Sequence, residues 1–241
     1  MLKAFSNSLL SVVYPQECSV CGAEVESSDY GVSCSSCWKS TRIFTGDETL
    51  CIRCGAFLFE SGSASGAIKC QKCIDHSYDR AFSGGLYEKA LSAAVLALKR
   101  SPHLSARVKT VLSATFDRIP IKSETVIVLV PLSRRRLFER GFNQASVIGI
   151  MISRYSGNPI DDASLIRKVH TPMHRAGMDR KARAMTVKNA FEVVRPKLIE
   201  TKDVLLIDDI FTSGETASNC ARILKKSGAA TVNVLTIARA E

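Results

Sequence analysis

From residue 87 onward the apolar positions of the chain follow two alternating periods. Leu91, Ala94, Val95 and Leu98 fall on one face of a helix expected over 87–99. Residues 125–130 (TVIVLV) form an apolar, β-branched run ending at Pro131, the pattern of a strand covered on both faces. After Gly141 a helix is expected over about 143–154, and a short strand at 191–194. A second buried strand spans 203–208 (DVLLID), a helix over 215–227 stops at Gly228, and a last strand covers 231–238. Strands alternating with helices imply an α/β fold with a parallel sheet and right-handed crossovers.

Before residue 78 the pattern is different. This part is rich in Cys, Gly and Ser and has few long apolar runs, which sets a boundary between a small unit, 1–77, and an α/β domain, 78–241. Within the small unit, 60–67 (ESGSASGA) reads as a flexible loop. Residues 1–14 carry one Lys and apolar positions interrupted by Ser and Asn, so they are expected to form an amphipathic lead-in helix rather than a secretion signal. No apolar stretch approaches the ~20 residues that span a bilayer. The content of 46% hydrophobic and 23% charged residues is that of an ordinary globular protein.

Eight of the nine cysteines form four CxxC pairs: Cys18/Cys21, Cys34/Cys37, Cys51/Cys54 and Cys70/Cys73. Both thiolates of such a turn reach one metal ion, and two turns complete a tetrahedral sulfur site suited to Zn²⁺. Sequential use gives one ion to Cys18, Cys21, Cys34 and Cys37 and a second to Cys51, Cys54, Cys70 and Cys73. The gaps of 12 and 15 residues within these sets suit zinc ribbons, so this sequential use is the expected one; an interleaved use, first pair with third and second with fourth, is the alternative. Four protein thiolates leave no open coordination position, so two structural Zn²⁺ are expected, in a reducing, cytoplasmic compartment. Cys220, in the 215–227 helix, reads as a small apolar residue.

Charge is unevenly spread. The net +10 divides into −2 over 1–77 and +12 over the remainder, and a basic body favours polyanionic partners.

The most informative segment is 204–216. An apolar strand delivers Asp208 and Asp209 at its C-terminal end, a tight turn of Thr212, Ser213, Gly214, Glu215 and Thr216 follows, and a helix starts at once. Ligands of open parallel sheets bind at that end of the strands. Amides of the turn and helix N-terminus can cradle a phosphate, the hydroxyls of Thr212, Ser213 and Thr216 add donors, and Gly214 permits close approach. The two carboxylates can accept hydrogen bonds from sugar hydroxyls. Neither GxxxxGK[ST] nor GxGxxG occurs.

Residues 204–216 resemble the 5-phosphoribosyl-1-pyrophosphate (PRPP) motif of type I phosphoribosyltransferases. The whole chain is similar to the ComF family, also called competence protein F or amidophosphoribosyltransferase-like. That resemblance rests on Tyr14, Pro15, Cys18, Cys21 and Gly22; on Leu98-Lys99; on Val130-Pro131-Leu132 leading to Arg140-Gly141-Phe142-Asn143-Gln144; and on the PRPP motif. It implies a double zinc ribbon followed by a type I phosphoribosyltransferase-like sheet. Asp208 and Asp209 would hold ribose hydroxyls, 212–216 the 5′-phosphate, and the 131–141 loop, chiefly Arg140 with Arg134, Arg135 and Arg136 as alternatives, the pyrophosphate, with Mg²⁺ accompanying PRPP. A basic hood would map to 167–183, with Arg175, Arg180, Lys181 and Arg183, and Lys99 either faces the site or ends its helix. Three functional classes stay open: a phosphoribosyltransferase with unspecified acceptor, a DNA-uptake protein that binds single-stranded DNA and other competence proteins, and a non-catalytic PRPP sensor.

Overall fold

The computed structural model describes residues 16–58, 69–122, 124–168 and 190–241. The lead-in helix expected over 1–14, the loop 60–67 and most of the basic stretch 167–188 lie outside them. Among the described residues no helix is long and apolar enough to cross a membrane.

Five strands make the central sheet: β1 (Arg80–Ser83), β2 (Val126–Leu129), β3 (Ile160–Asp161), β6 (Asp203–Ile207) and β8 (Thr231–Thr236). Their order is β1-β8-β6-β2-β3 and every pairing is parallel. β6 sits at the centre because its four apolar residues can be buried on both faces, and side chains alternate between those faces. Leu205 and Ile207 join one core layer with Ile127, Leu129 and Leu235. Val204 and Leu206 join the other with Val128, Val232 and Val234. Each such side chain contributes on the order of 1.5–3 kcal/mol when fully buried.

The first layer is closed by α2 (Lys89–Leu98), α3 (Ala106–Phe116) and α5 (Gln144–Ser156). α3 was not expected from the sequence, although Val108, Val111, Leu112 and Phe116 form its buried face and Ser105 caps it. Gly149 brings α5 onto the sheet: a Cβ there would stand 2.4 Å from Leu129 Cδ2. The second layer is closed by α6 (Glu215–Lys226).

The strand expected at 191–194 forms, but not in the parallel sheet. As β5 (Phe191–Val193) it pairs antiparallel with β4 (Leu165–Arg167) in a separate two-stranded ribbon. A third small sheet joins β7 (Ile210–Phe211) to β9 (Ala238–Arg239) in parallel. The described residues also form two short helices, α1 (Ser35–Lys39) and α4 (Arg134–Arg140), the latter with no buried residue.

The two cysteine units attach to different layers. In the first, Trp38 of α1 joins the α2/α3/α5 core and donates from Nε1 to the Tyr30 carbonyl at 2.9 Å. In the second, Cys51, Cys54 and Cys73 pack with Tyr78 in the α6 layer. The sheet is thus held by a ribbon on each face.

Candidate functional site

The eight thiols gather in sequential sets, Cys18, Cys21, Cys34 and Cys37 in one and Cys51, Cys54, Cys70 and Cys73 in the other. This decides between the two arrangements the spacing allowed. The sulfurs of each set lie within 4.8 Å of one another, with contacts such as Cys54–Cys70 at 3.5 Å and Cys18–Cys37 at 3.8 Å. Tetrahedral Zn–S bonds of about 2.3 Å place sulfurs ~3.8 Å apart, whereas a disulfide needs about 2.05 Å. The backbone adds N–H donors: Cys34 N–H donates to Cys18 Sγ at 3.3 Å and Cys70 N–H to Cys51 Sγ at 3.2 Å. Burial opposes ionisation of Cys18 and Cys51, but such backbone donors outweigh it and bring both thiols down to about 6. Both sets are zinc-ribbon sites with every ligand position filled by protein, so their role is structural.

At the far end of β6 the chain leaves the core at Asp208. Its N–H donates to the Leu235 carbonyl at 3.1 Å, the Asp209 N–H donates to Asp208 Oδ1 at 2.9 Å, and the Asp209 carbonyl accepts from Ile237 at 3.2 Å. Both carboxylates therefore emerge at the C-terminal edge of the sheet. β7 follows, then a turn that reverses at Gly214, whose φ of +78° suits a residue without Cβ. Ser218 N–H donates to the Gly214 carbonyl at 2.8 Å and α6 begins.

Asp208, Asp209, Thr212 and Thr216 line a cleft of about 210 Å³. Other elements complete it: Lys99 after α2, Arg136 and Arg140 of α4, Gln144 of α5 and Arg167 of β4. The expected acid pair, Arg140 and Lys99 thus share one lining. Four cationic side chains meet two carboxylates in this lining, a field that favours an anionic ligand. Arg140 Nη1 donates to Gln144 Oε1 at 2.8 Å, and Arg167 lies 5.2 Å over the Phe191 ring. Burial, and next the neighbouring Asp209 charge, push Asp208 up to about 8, against the pull of Lys99. Burial and the charge of Arg136 lower the pKa of Arg167.

Not every expected residue lines this cleft. Gly214 backs a recess of about 20 Å³ beside Thr212 and Thr216. Ser213 borders a second cavity, about 480 Å³, next to Cys54, Cys73, His76, Tyr78 and Phe211. Glu215 is exposed at the first position of α6. Of the arginines at 134–136 only Arg136 reaches the cleft; Arg135 pairs with Glu139 at 2.7 Å. Arg175, Arg180, Lys181 and Arg183 lie outside the described residues. Sequence reasoning gives no role to Gln144 beyond its place in the 140–144 motif, because Arg140 ends α4 and Gln144 starts α5 and only the fold brings the two side chains together.

The double zinc ribbon domain family matches residues 9–74. "DNA utilization protein YhgH" of Escherichia coli is 28% identical over 233 residues, 93% of this chain and 97% of that one. "Competence protein F" of Haemophilus influenzae is 29% identical over 216 residues, 86% of this chain and 90% of that one. Among solved structures, glutamine PRPP amidotransferase from B. subtilis, complexed with ADP and GMP, covers 61% of this chain and 26% of its own at 16% identity and a TM-score of 0.37. With its two four-cysteine sites and relatives that run nearly its full length, the chain is similar to competence protein F and the DNA utilization proteins, and it carries a double zinc ribbon followed by a parallel α/β sheet domain.

Proposed function

We propose that the cleft binds PRPP or a related 5-phosphoribosyl ligand. One observation carries this reading: the acid pair at the end of β6, Thr212 and Thr216 of the turn and four cations line a single cleft of about 210 Å³. The turn at 212–216 and the start of α6 take the 5′-phosphate, with amides and helix dipole aligned for an anion. Asp208 and Asp209 accept from the ribose hydroxyls, and Arg140, Arg136 and Lys99 offset the charge of a diphosphate. In a transfer, the bond from the anomeric carbon to the diphosphate oxygen breaks, the acceptor bonds to that carbon, and pyrophosphate leaves. The protein supplies charge stabilisation and position, and Mg²⁺ arrives with the diphosphate as part of the substrate. The metal-holding thiols fit a reducing, cytoplasmic setting, and the domain division at residue 78 assigns this chemistry to 78–241.

Calorimetry with PRPP and Mg²⁺ tests the reading. An Asp208→Asn/Asp209→Asn double variant is expected to bind roughly ten- to a hundredfold more weakly while keeping its fold. Unchanged affinity in a folded variant would remove the acid pair from the site. Labelled PRPP incubated with a panel of nucleobases then separates a transferase from a sensor.

A second reading, single-stranded DNA binding, is favoured by one surface. Phe138 is 92% exposed on α4, and Arg134 and Arg135 beside it point away from the cleft into solvent. An exposed aromatic among arginines suits a stacked base and a backbone phosphate. The relatives' names, DNA utilization protein and competence protein F, agree with it.

A further inference from the structure

Thr212 is exposed and borders both the cleft of the acid pair and the larger cavity of about 480 Å³ that lies against the second zinc ribbon. A volume of this size is that of a small-molecule site, roughly 300–1,000 Å³. Its lining is aromatic. Phe57 and His76 are half-buried and offer accessible ring surface, and the buried rings of Tyr78 and Phe211 complete the wall. Each ring is braced by another. Phe44 meets Phe57 edge-on with centroids 5.4 Å apart, Tyr78 meets Phe211 at 5.8 Å, and Tyr78 Oη lies 2.6 Å from His76 Nδ1. Rings held in this way lose little freedom when a ligand arrives.

Charge distinguishes the two spaces. Four cations line the cleft. The cavity wall instead holds Cys54, Cys70 and Cys73 of the second four-thiol set, and four thiolates around one Zn²⁺ leave a net negative charge. The exposed Glu241 adds to it. Arg239, also in the lining, is already engaged, donating to the Cys54 carbonyl and lying over the Phe211 ring. A phosphate is disfavoured beside such a wall, whereas a neutral planar ring gains by stacking. The order of the ligand's parts follows from the turn. With a ribose at Asp208 and Asp209 and its 5′-phosphate at 212–216, a group that continues from that phosphate past Thr212 and Ser213 enters the aromatic cavity.

We propose that this cavity is a nucleobase subsite: the phosphate at the turn is a phosphodiester, and the nucleoside joined to it on the 5′ side stacks its base on Phe57 and His76. This rests on the phosphoribosyl reading above and deepens it, since the preferred ligand becomes the 3′-terminal end of a nucleotide strand rather than a free phosphorylated ribose.

The test is calorimetry of the full, zinc-loaded chain with PRPP, adenosine 5′-phosphate, the methyl ester of that phosphate, and the dinucleotide adenylyl-(3′→5′)-adenosine. The methyl ester matches the dinucleotide in phosphate charge and lacks the 5′-side nucleoside. The dinucleotide is expected to bind roughly tenfold or more tightly than the ester, and PRPP should displace it because the two share the turn. Phe57→Ala should remove that gain and change PRPP affinity by less than about twofold. Ala240→Trp fills the cavity from a half-buried position whose N–H donates to the Phe211 carbonyl at 2.8 Å, a bond the substitution keeps. It should likewise abolish the gain, and it carries the test where Phe57→Ala does not fold. Equal affinity for ester and dinucleotide, a dinucleotide that PRPP does not displace, or a gain that survives Ala240→Trp would overturn the subsite and leave the phosphoribosyl cleft standing. Loss of PRPP in step with the dinucleotide in both variants would also overturn it, reducing the cavity residues to supports of the turn. A chain that binds neither PRPP nor adenosine 5′-phosphate would end the phosphoribosyl reading and this proposal with it.

Discussion

The imidazole of His76 occupies the space that a side chain on Gly214 would need. A Cβ at Gly214 would come within 2.8 Å of His76 Cε1 and 2.8 Å of Phe211 Cζ. His76 follows the fourth CxxC pair, and Ser77 N–H next to it donates to Ser218 Oγ of α6 at 3.0 Å. The end of the second zinc ribbon is therefore packed directly on the turn that opens α6.

Gly214→Ala should consequently be costly twice over. A non-glycine residue at φ +78° loses about 1 kcal/mol, and forcing a methyl into this contact adds ~1–3 kcal/mol. Urea denaturation should show the sum. His76→Ala in the same chain should recover the crowding part only in so far as Phe211 also yields, and should leave the backbone part. Full recovery would mean that the positive φ contributes nothing.

The two zinc sites should affect the cleft unequally. Arg53, inside the third CxxC pair, donates from Nε to the Tyr78 carbonyl at 3.2 Å, from Nη1 to the Ile74 carbonyl at 2.9 Å, and also to the His76 carbonyl. Arg239 donates to the Cys54 carbonyl and lies 5.4 Å over the Phe211 ring. Elemental analysis should find about two zinc ions per chain, one for each four-thiol set. Cys51→Ser/Cys73→Ser should lose one ion and speed hydrogen exchange at 208–217, while Cys18→Ser/Cys34→Ser loses one ion and leaves that segment protected. Equal deprotection by both would refute the coupling.

Asp208 should make stability depend on pH. An unfolded aspartate titrates near ~3.9, whereas burial and Asp209 raise Asp208 to about 8 in the native cleft. Between these values the native state holds more protons than the unfolded state, so stability falls as pH rises. The contribution is whole below the unfolded pKa and is lost as pH passes through the folded one. Asp208→Asn should flatten the decline between pH 5 and pH 8, measured by urea denaturation at constant ionic strength. Lys99→Met should steepen it, since the Lys99 charge lowers the pKa of Asp208. A wild-type curve flat over that window would refute the assignment.

For the exposed face of α4, the observable is the salt dependence of oligonucleotide binding. Each phosphate contact to a single strand contributes a slope of roughly 0.7 log units per log unit of salt. Arg134→Ala/Arg135→Ala should lower the slope by about one to two such steps. Phe138→Ala should weaken binding at unchanged slope, because stacking releases no counterions. Neither substitution touches the cleft lining, so PRPP affinity should be unaffected. Absence of binding at low salt would leave the phosphoribosyl cleft as the functional surface.

Where the determinants are local, the chain can be read directly. Four CxxC pairs specify thiolate metal sites because two residues between cysteines bring both sulfurs to one ion. DVLLI reads as a buried strand because continuous apolar character suits a two-sided layer, and Asp208, Asp209 and the Thr-Ser-Gly turn follow it without a gap. β1 was not read, since a four-residue edge strand with two buried positions has too little pattern. β5 was read as a strand, but its pairing with β4 depends on a partner before the 169–189 segment, and strand propensity carries no address.

Which cysteines share an ion, which of three consecutive arginines faces the cleft, and whether Lys99 ends a helix or serves the site depend on distances between segments far apart in sequence. The same holds for the packing of His76 on Gly214, 138 residues later in the chain. Sequence alone determined the chemistry on offer: eight thiols, an acid pair, a phosphate-type turn and an excess of positive charge. The tertiary structure decided the assembly, because packing α2, α4, α5 and β4 around the end of β6 is what places four cations and a buried amide in the lining that holds the two carboxylates.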